Sequence, residues 1–147
     1  MKPAIWKAWA IALFCLTSLF AVNANAANEF AEAKVVLQIS DPNPFKQTLV
    51  LNVANNLVKH YGPDRVAIEI VAFGPGLRLL FADNANTDRI QSLVGNGVKF
   101  SACSNTTANM GKKLGHPPKL NKNAVTVSAG VVRILDLQKQ GYSLIKP

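Results

Sequence analysis

The chain has 147 residues, with 16 Lys and Arg against 8 Asp and Glu for a formal net charge of +8, and 49% of its residues are apolar. That is the size of one domain with a single core, and no internal repeat, low-complexity tract or linker to a second domain interrupts it. The positive charge argues only weakly for an anionic partner and does not suggest nucleic acid. The basic residues are scattered, and their one local cluster, Lys112-Lys113 with Lys119 and Lys122, reads as a solvated face.

The first segment does not belong to the fold. Lys2 and Lys7 give a basic head, Trp9 to Val22 is an uncharged run of 14 residues broken only by Thr17 and Ser18, and Ala24-Asn25-Ala26 is an A-x-A cleavage signal. A membrane-spanning helix needs about 20 apolar residues, so residues 1–26 are expected to be a cleavable secretory signal peptide. Cys15 follows the bulky Phe14, which argues against lipoprotein processing. The expected mature protein, residues 27–147, is periplasmic and free of the membrane. It keeps every acid and loses only Lys2 and Lys7 among the cations, for a net charge of +6. Cys103 is then its one cysteine, so no internal disulfide can form.

Taken in order, residues 27–147 alternate strand and helix signals. Val35 to Ser40 is a short apolar strand, broken by Asp41-Pro42-Asn43-Pro44. Asn43 can cap a helix and Pro44 can open it, after which Val50, Val53, Ala54, Leu57, Val58 and Tyr61 line one helical face until Gly62-Pro63-Asp64. Val66 to Phe73 is a second strand, in which the charged Glu69 suggests a sheet edge. Gly74-Pro75-Gly76 is a tight turn into Leu77 to Phe81, a short helical segment. Its four large apolar side chains, Leu77, Leu79, Leu80 and Phe81, cannot all face one sheet, so at least one is expected outside, where it would mark an interface. Ala82 to Asn86 is a polar loop, Thr87 to Val94 a short helix, and Gly95-Asn96-Gly97 its stop.

Val98 to Cys103 follows as a strand, with Val98, Phe100 and Ala102 alternating against Lys99 and Ser101. Ser104, Asn105 and Thr106 are helix-capping types, and a helix from Thr106 to Leu114 ends in Lys112-Lys113, Gly115 and Pro117-Pro118. Val125 to Val127 is a fourth strand, Ser128-Ala129-Gly130 its turn, Val131 to Gln140 the last helix and Tyr142 to Ile145 a fifth strand. The alternation implies a three-layer α/β/α sandwich, flavodoxin-like, with about five parallel strands. The common strand order for such a sheet is 2-1-3-4-5. Ligands then bind beyond the carboxyl ends of the strands, where strands 1 and 3 lie side by side.

Cys103 ends strand 3 at that place. Free amides and the positive end of the following helix favour a thiolate there, whereas a sulfur turned into the core would be an inert hydrophobe. The expected rim around it comprises Asp41 and Asn43 after strand 1, Gly74 and Gly76 after strand 2, Ser104, Asn105 and Thr106 at the helix start, and Ser128 after strand 4.

Lys34 to Ser40, the Val71-Ala72-Phe73-Gly74-Pro75-Gly76 turn, and above all Val98 to Thr106 with its A-C-x-N-T ending give the chain a resemblance. It resembles the DsrE/DsrF-like proteins of sulfur metabolism, in a small exported branch, over nearly the whole of residues 27–147. The resemblance implies a flavodoxin-like subunit that assembles into trimers or hexamers, with a cysteine that in some members carries sulfur as a persulfide. Cys103 stands at the position of that cysteine.

Other chemistry is poorly supported. Gly74-Pro75-Gly76 lacks the further glycines and the lysine of a phosphate loop. His60 and His116 have no co-ligands in sequence, so no metal site and no cofactor are expected. His116 stands about 15 Å along the helix from Cys103, and no general base is identifiable beside the thiol. Two readings remain. In one, Cys103 is a sulfur-relay nucleophile exchanging sulfane sulfur with a donor or acceptor protein; in the other, the protein is an oligomeric small-anion binding or assembly module whose pocket Cys103 only lines.

Overall fold

The computed structural model describes residues 31–147, so the expected signal peptide lies outside the described residues. The elements are β1 (Ala33–Ile39), α1 (Pro44–Tyr61), β2 (Val66–Ala72), a 3-10 helix (Gly74–Leu80), α2 (Thr87–Gly95), β3 (Lys99–Cys103), α3 (Ser104–Leu114), β4 (Ala124–Val127), α4 (Gly130–Lys139) and β5 (Ser143–Ile145). All five strands are parallel, which with helices on both faces makes the flavodoxin-like three-layer sandwich.

The strand order is β4-β3-β2-β1-β5, not the expected 2-1-3-4-5. From β1 the chain steps outward one strand at a time to β4, and right-handed crossovers put α1, α2 and α3 on one face. The last connection returns across the whole sheet to the far side of β1, which carries α4 to the opposite face. The larger apolar cluster lies on the first face, where Leu37, Ile70 and Phe100 meet Leu51 of α1 and Ile90 of α2. The smaller one joins Val36, Ala67 and Val71 to Ile134, Leu137 and Tyr142.

The strand order also corrects the reading of Glu69. Every residue of β2 is buried, and the strand runs between β1 and β3 rather than at an edge. Its carboxylate is neutralised inside the protein by Arg133 of α4 and accepts a further hydrogen bond from Ser101 of β3, so the charge does not need solvent.

The helix signals act as expected at most ends. Asn43 Oδ1 accepts from the Phe45 amide at 2.9 Å, and Gly115 closes α3 in the left-handed conformation at φ 80°. The start of α3 differs. The helix begins at Ser104, two residues earlier than expected, so Cys103 itself holds the N-cap position, with extended φ −70° and ψ 117°. The expectation for Leu77 to Phe81 is also corrected. Leu77, Leu79 and Leu80 are fully buried and Phe81 packs against the same core, leaving Arg78 as the outward residue. A 3-10 turn stacks Leu77 over Leu80, and the segment packs its leucines into the core against β2 and β3.

Candidate functional site

Cys103 sits where two connections part. The connection after β3 turns into α3 on one face and that after β4 into α4 on the other, while Cys103 and Val127 are paired at the strand ends. The switch point of this sheet is therefore between β3 and β4. Its consequence is that two helix N-termini, rather than one, approach the thiol.

Gly130 makes that approach possible. A Cβ on it would stand 3.0 Å from Cβ and Cδ1 of Phe73, so a larger residue would push the start of α4 off the end of β2. On the other side Thr106, in the first turn of α3, is tied to the preceding rim because its Oγ1 accepts from the Gly74 amide at 2.9 Å. Thr107 Oγ1 donates to the Cys103 carbonyl at 3.0 Å, tightening the same turn.

Burial is the largest single influence on the Cys103 thiol and raises its pKa. The Thr106 hydroxyl and the backbone amides of Gly130, Thr106 and Asn105 act in the opposite sense and together outweigh it, holding the thiol below its ordinary value. The neutral sulfur makes no capping hydrogen bond of its own; the donors ranged around it gain strength as negative charge develops. Cys103 is only 5% exposed, so a reagent must be small or the rim must open for it to react.

The expected rim divides. Asn105 and Thr106 act on the thiol, Gly74 reaches it only through Thr106, Ser104 opens α3 directly after it, and Ser128 lies exposed in the turn leading to Gly130. Asp41 and Asn43 share the carboxyl edge but not the neighbourhood, because β2 lies between β1 and β3 and two strand spacings come to roughly 10 Å. Their work is at α1: Asp41 accepts from the Asn43 amide at 2.9 Å and pairs with Lys46 at 3.7 Å, while Asn43 caps the helix. Gly76 is structural, since a Cβ there would stand 2.5 Å from the Ile39 carbonyl oxygen.

Sequence reasoning missed two features. The Gly130 amide was legible only as part of a turn, although a glycine opening a helix after a strand is a signal of close approach. The second is the buried cluster on the α4 side of the sheet. Glu69 Oε1 accepts from Ser101 Oγ at 2.5 Å and from Arg133 Nε at 2.7 Å, and Oε2 accepts from Arg133 Nη2 at 2.6 Å. A lone acid in an apolar strand announces that it has a partner, but not which.

A groove flanks the site on the α3 side. A cavity of about 200 Å³ is lined by Gly74, Pro75, Thr106, Asn109, Met110 and Lys113. It adjoins one of about 440 Å³ that adds Arg78, Phe81 and Leu114. The groove reaches Thr106 but is not lined by Cys103. Among the described residues, neither Arg78 nor Lys113 is in an ion pair, and no group of three or more His, Cys, Asp or Glu stands together as a metal site would require.

No protein-family model matches the chain, and neither does any curated protein. Among solved structures, the chain is similar to MTH1491 of Methanobacterium thermoautotrophicum, a protein of unknown function. The two are 30% identical with a TM-score of 0.70, over 79% of this chain and all of that one. The chain belongs to the MTH1491 family. BT1422 of Bacteroides thetaiotaomicron, a conserved protein also of unknown function, shares the fold at 17% identity and a TM-score of 0.51, over 81% of this chain and 98% of that one. Membership of the MTH1491 family brings an architecture and no activity, so the chemistry rests on the site itself.

Proposed function

We propose that this member of the MTH1491 family is a DsrE-like sulfur-relay protein of the periplasm, in which Cys103 accepts and donates sulfane sulfur. The observation that carries the reading is the place of the thiol, at the N-cap of α3 and beside the end of β4, whose connection opens α4; the first-turn amides of both helices and the Thr106 hydroxyl act there to hold its pKa below the ordinary value. Such donors stabilise the thiolate that attacks. In the step, the Cys103 thiolate attacks the outer sulfur of a persulfide or polysulfide donor. A new sulfur–sulfur bond forms on Cys103, the donor's bond breaks, and its electron pair leaves on the donor thiolate, which takes up a proton. The transferred sulfur keeps its oxidation state, so no outside oxidant is required.

The test is direct. Incubation of the purified protein with polysulfide should add the mass of one or more sulfur atoms at Cys103, removable by cyanide or a thiol acceptor. An unmodified Cys103 after that treatment overturns the reading. Export belongs to the same proposal, and N-terminal sequencing of periplasmic material should begin at Ala27 or within a residue or two.

A second reading is favoured by one observation, the 5% exposure of Cys103 beside a groove that carries two cations in no ion pair among the described residues. In it the protein binds a small anion at Arg78 and Lys113, and Cys103 is a bystander. Anion binding that survives Cys103→Ser and is lost on Lys113→Ala would favour it over the relay.

The reading includes assembly into a homo-oligomer, now through a different surface. Val131, Val132 and Leu135 on the outer face of α4 are 48–57% exposed and Val125 on the β4 edge is 63% exposed, an apolar strip that a second copy would cover.

A further inference from the structure

The geometry points to Glu69 and Arg133 as a positioning pair that holds the first turn of α4 against Cys103, and so maintains the thiol's reactivity without touching it. The inference rests on the reading of Cys103 as the reactive group.

The first turn of α4 has few other anchors. The buried residues of the helix are Gly130, Ile134 and Leu137, while Val131, Val132 and Leu135 face solvent. Ile134 and Leu137 fasten the middle and end of the helix to Val36, Ala67 and Val71. The start is fastened by the contact of Gly130 with Phe73 and by the Arg133 side chain, whose own amide donates to the Ala129 carbonyl at 3.0 Å and closes that turn. Arg133 grips both oxygens of Glu69, at 2.7 and 2.6 Å, a two-pronged contact that restricts rotation as well as distance. Glu69 in turn accepts from Ser101, two residues before Cys103 on the same side of β3. The strand that carries the thiol and the helix that carries the Gly130 amide are thus joined through one carboxylate that is 2% exposed.

Three other groups enter the same field. Tyr142 packs in the α4 cluster, Asp136 stands one turn along α4 from Arg133 and pairs with Lys139 at 3.7 Å, and Lys99 is the partner of Glu69 across β2 and β3 with its side chain in solvent. None of them donates a hydrogen bond to the carboxylate, so none replaces Arg133 as a tether.

The experiment compares the alkylation rate of Cys103 by iodoacetamide at neutral pH, and the thiol's titration by absorbance, in the wild-type protein and in two variants. Glu69→Gln keeps an acceptor for Ser101 and removes the two-pronged grip. Glu69→Gln with Arg133→Met removes both charges, so no unpaired charge is left inside if the single change prevents folding. In whichever variant gives a native-like melt and circular dichroism, the thiol should titrate higher than in wild type and alkylate about fivefold more slowly. Arg133→Lys, which keeps the charge but loses the fork, should fall between. An unchanged titration and rate in a folded variant overturn the inference. A second measurement uses the unaltered protein. The NMR signal of the Arg133 Nε–H should shift with the same midpoint as the Gly130 amide as Cys103 ionises, and an Arg133 signal that stays still while Gly130 moves also overturns it. Sulfur loading is scored separately, so failure of the relay with a Glu69-dependent thiol pKa would sink the function and leave the positioning intact.

Discussion

The chemistry of Cys103 turns on a competition at one atom. Burial favours the neutral thiol, and the Thr106 hydroxyl with three amides favours the thiolate and prevails. A thiol whose folded pKa is depressed binds fewer protons folded than unfolded across the interval between the two values, so stability rises with pH there. Its contribution is fully present above the ordinary thiol pKa and disappears as pH falls through the lowered one. The melting temperature of wild type relative to Cys103→Ser should therefore climb over that interval, and a difference independent of pH would contradict the lowered thiol. The serine variant itself should fold, within about 1 kcal/mol of wild type, because a hydroxyl is a good acceptor for first-turn amides. Thr106→Val tests the neighbour. It removes a donor from the thiolate and leaves the Gly74 amide without its acceptor, so chemical denaturation should show a loss of about 1–3 kcal/mol, with a thiol that titrates higher.

Among the elements, α4 and the 3-10 helix are both placed by close backbone approach. Gly76→Ala would drive a Cβ to 2.5 Å from the Ile39 carbonyl oxygen, a backbone atom that cannot step aside cheaply. Gly130→Ala meets Cβ and Cδ1 of Phe73 at 3.0 Å instead, a looser contact with a side chain that the start of α4 can relieve by moving outward. Urea denaturation should rank them accordingly, with about 1–3 kcal/mol lost for Gly130→Ala and a larger loss for Gly76→Ala. The functional ranking should reverse, since Gly130 bears on the thiol and Gly76 does not. Slower alkylation in Gly130→Ala than in Gly76→Ala, each measured on folded protein, is the expected outcome.

At the scale of the molecule, the sheet is covered unevenly. Three α-helices and the 3-10 segment lie on one face and α4 alone on the other, with β4 and β5 as short edges. The apolar strip of Val125, Val131, Val132 and Leu135 lies on that thinly covered side. The proposed assembly makes Leu135→Lys the decisive substitution. Native mass spectrometry should find wild type as an oligomer and the variant as a folded monomer, because a charge buried at an interface without a partner is costly. A wild-type monomer at micromolar concentration would remove the assembly. The Cys103 reading does not rest on it, because Asn105, Thr106 and Gly130 belong to the same chain as the thiol.

Much of this was readable from local pattern. Alternating apolar strands and capped helices specify an α/β sandwich, because strand and helix periods differ and parallel strands require crossovers. The placement of Cys103 at a strand end before a helix follows from its immediate neighbours alone. What only the tertiary structure decided is the order of the strands, since local pattern leaves open which parallel strands will be neighbours. That choice moved Asp41 and Asn43 away from the thiol and brought Gly130 to it. It also put Glu69 in the middle of the sheet, against the expectation for a charged residue, by supplying Arg133 from a helix 64 positions later. Desolvation sets the cost of a buried charge, but its partner is chosen by the fold, and no spacing in the chain records it.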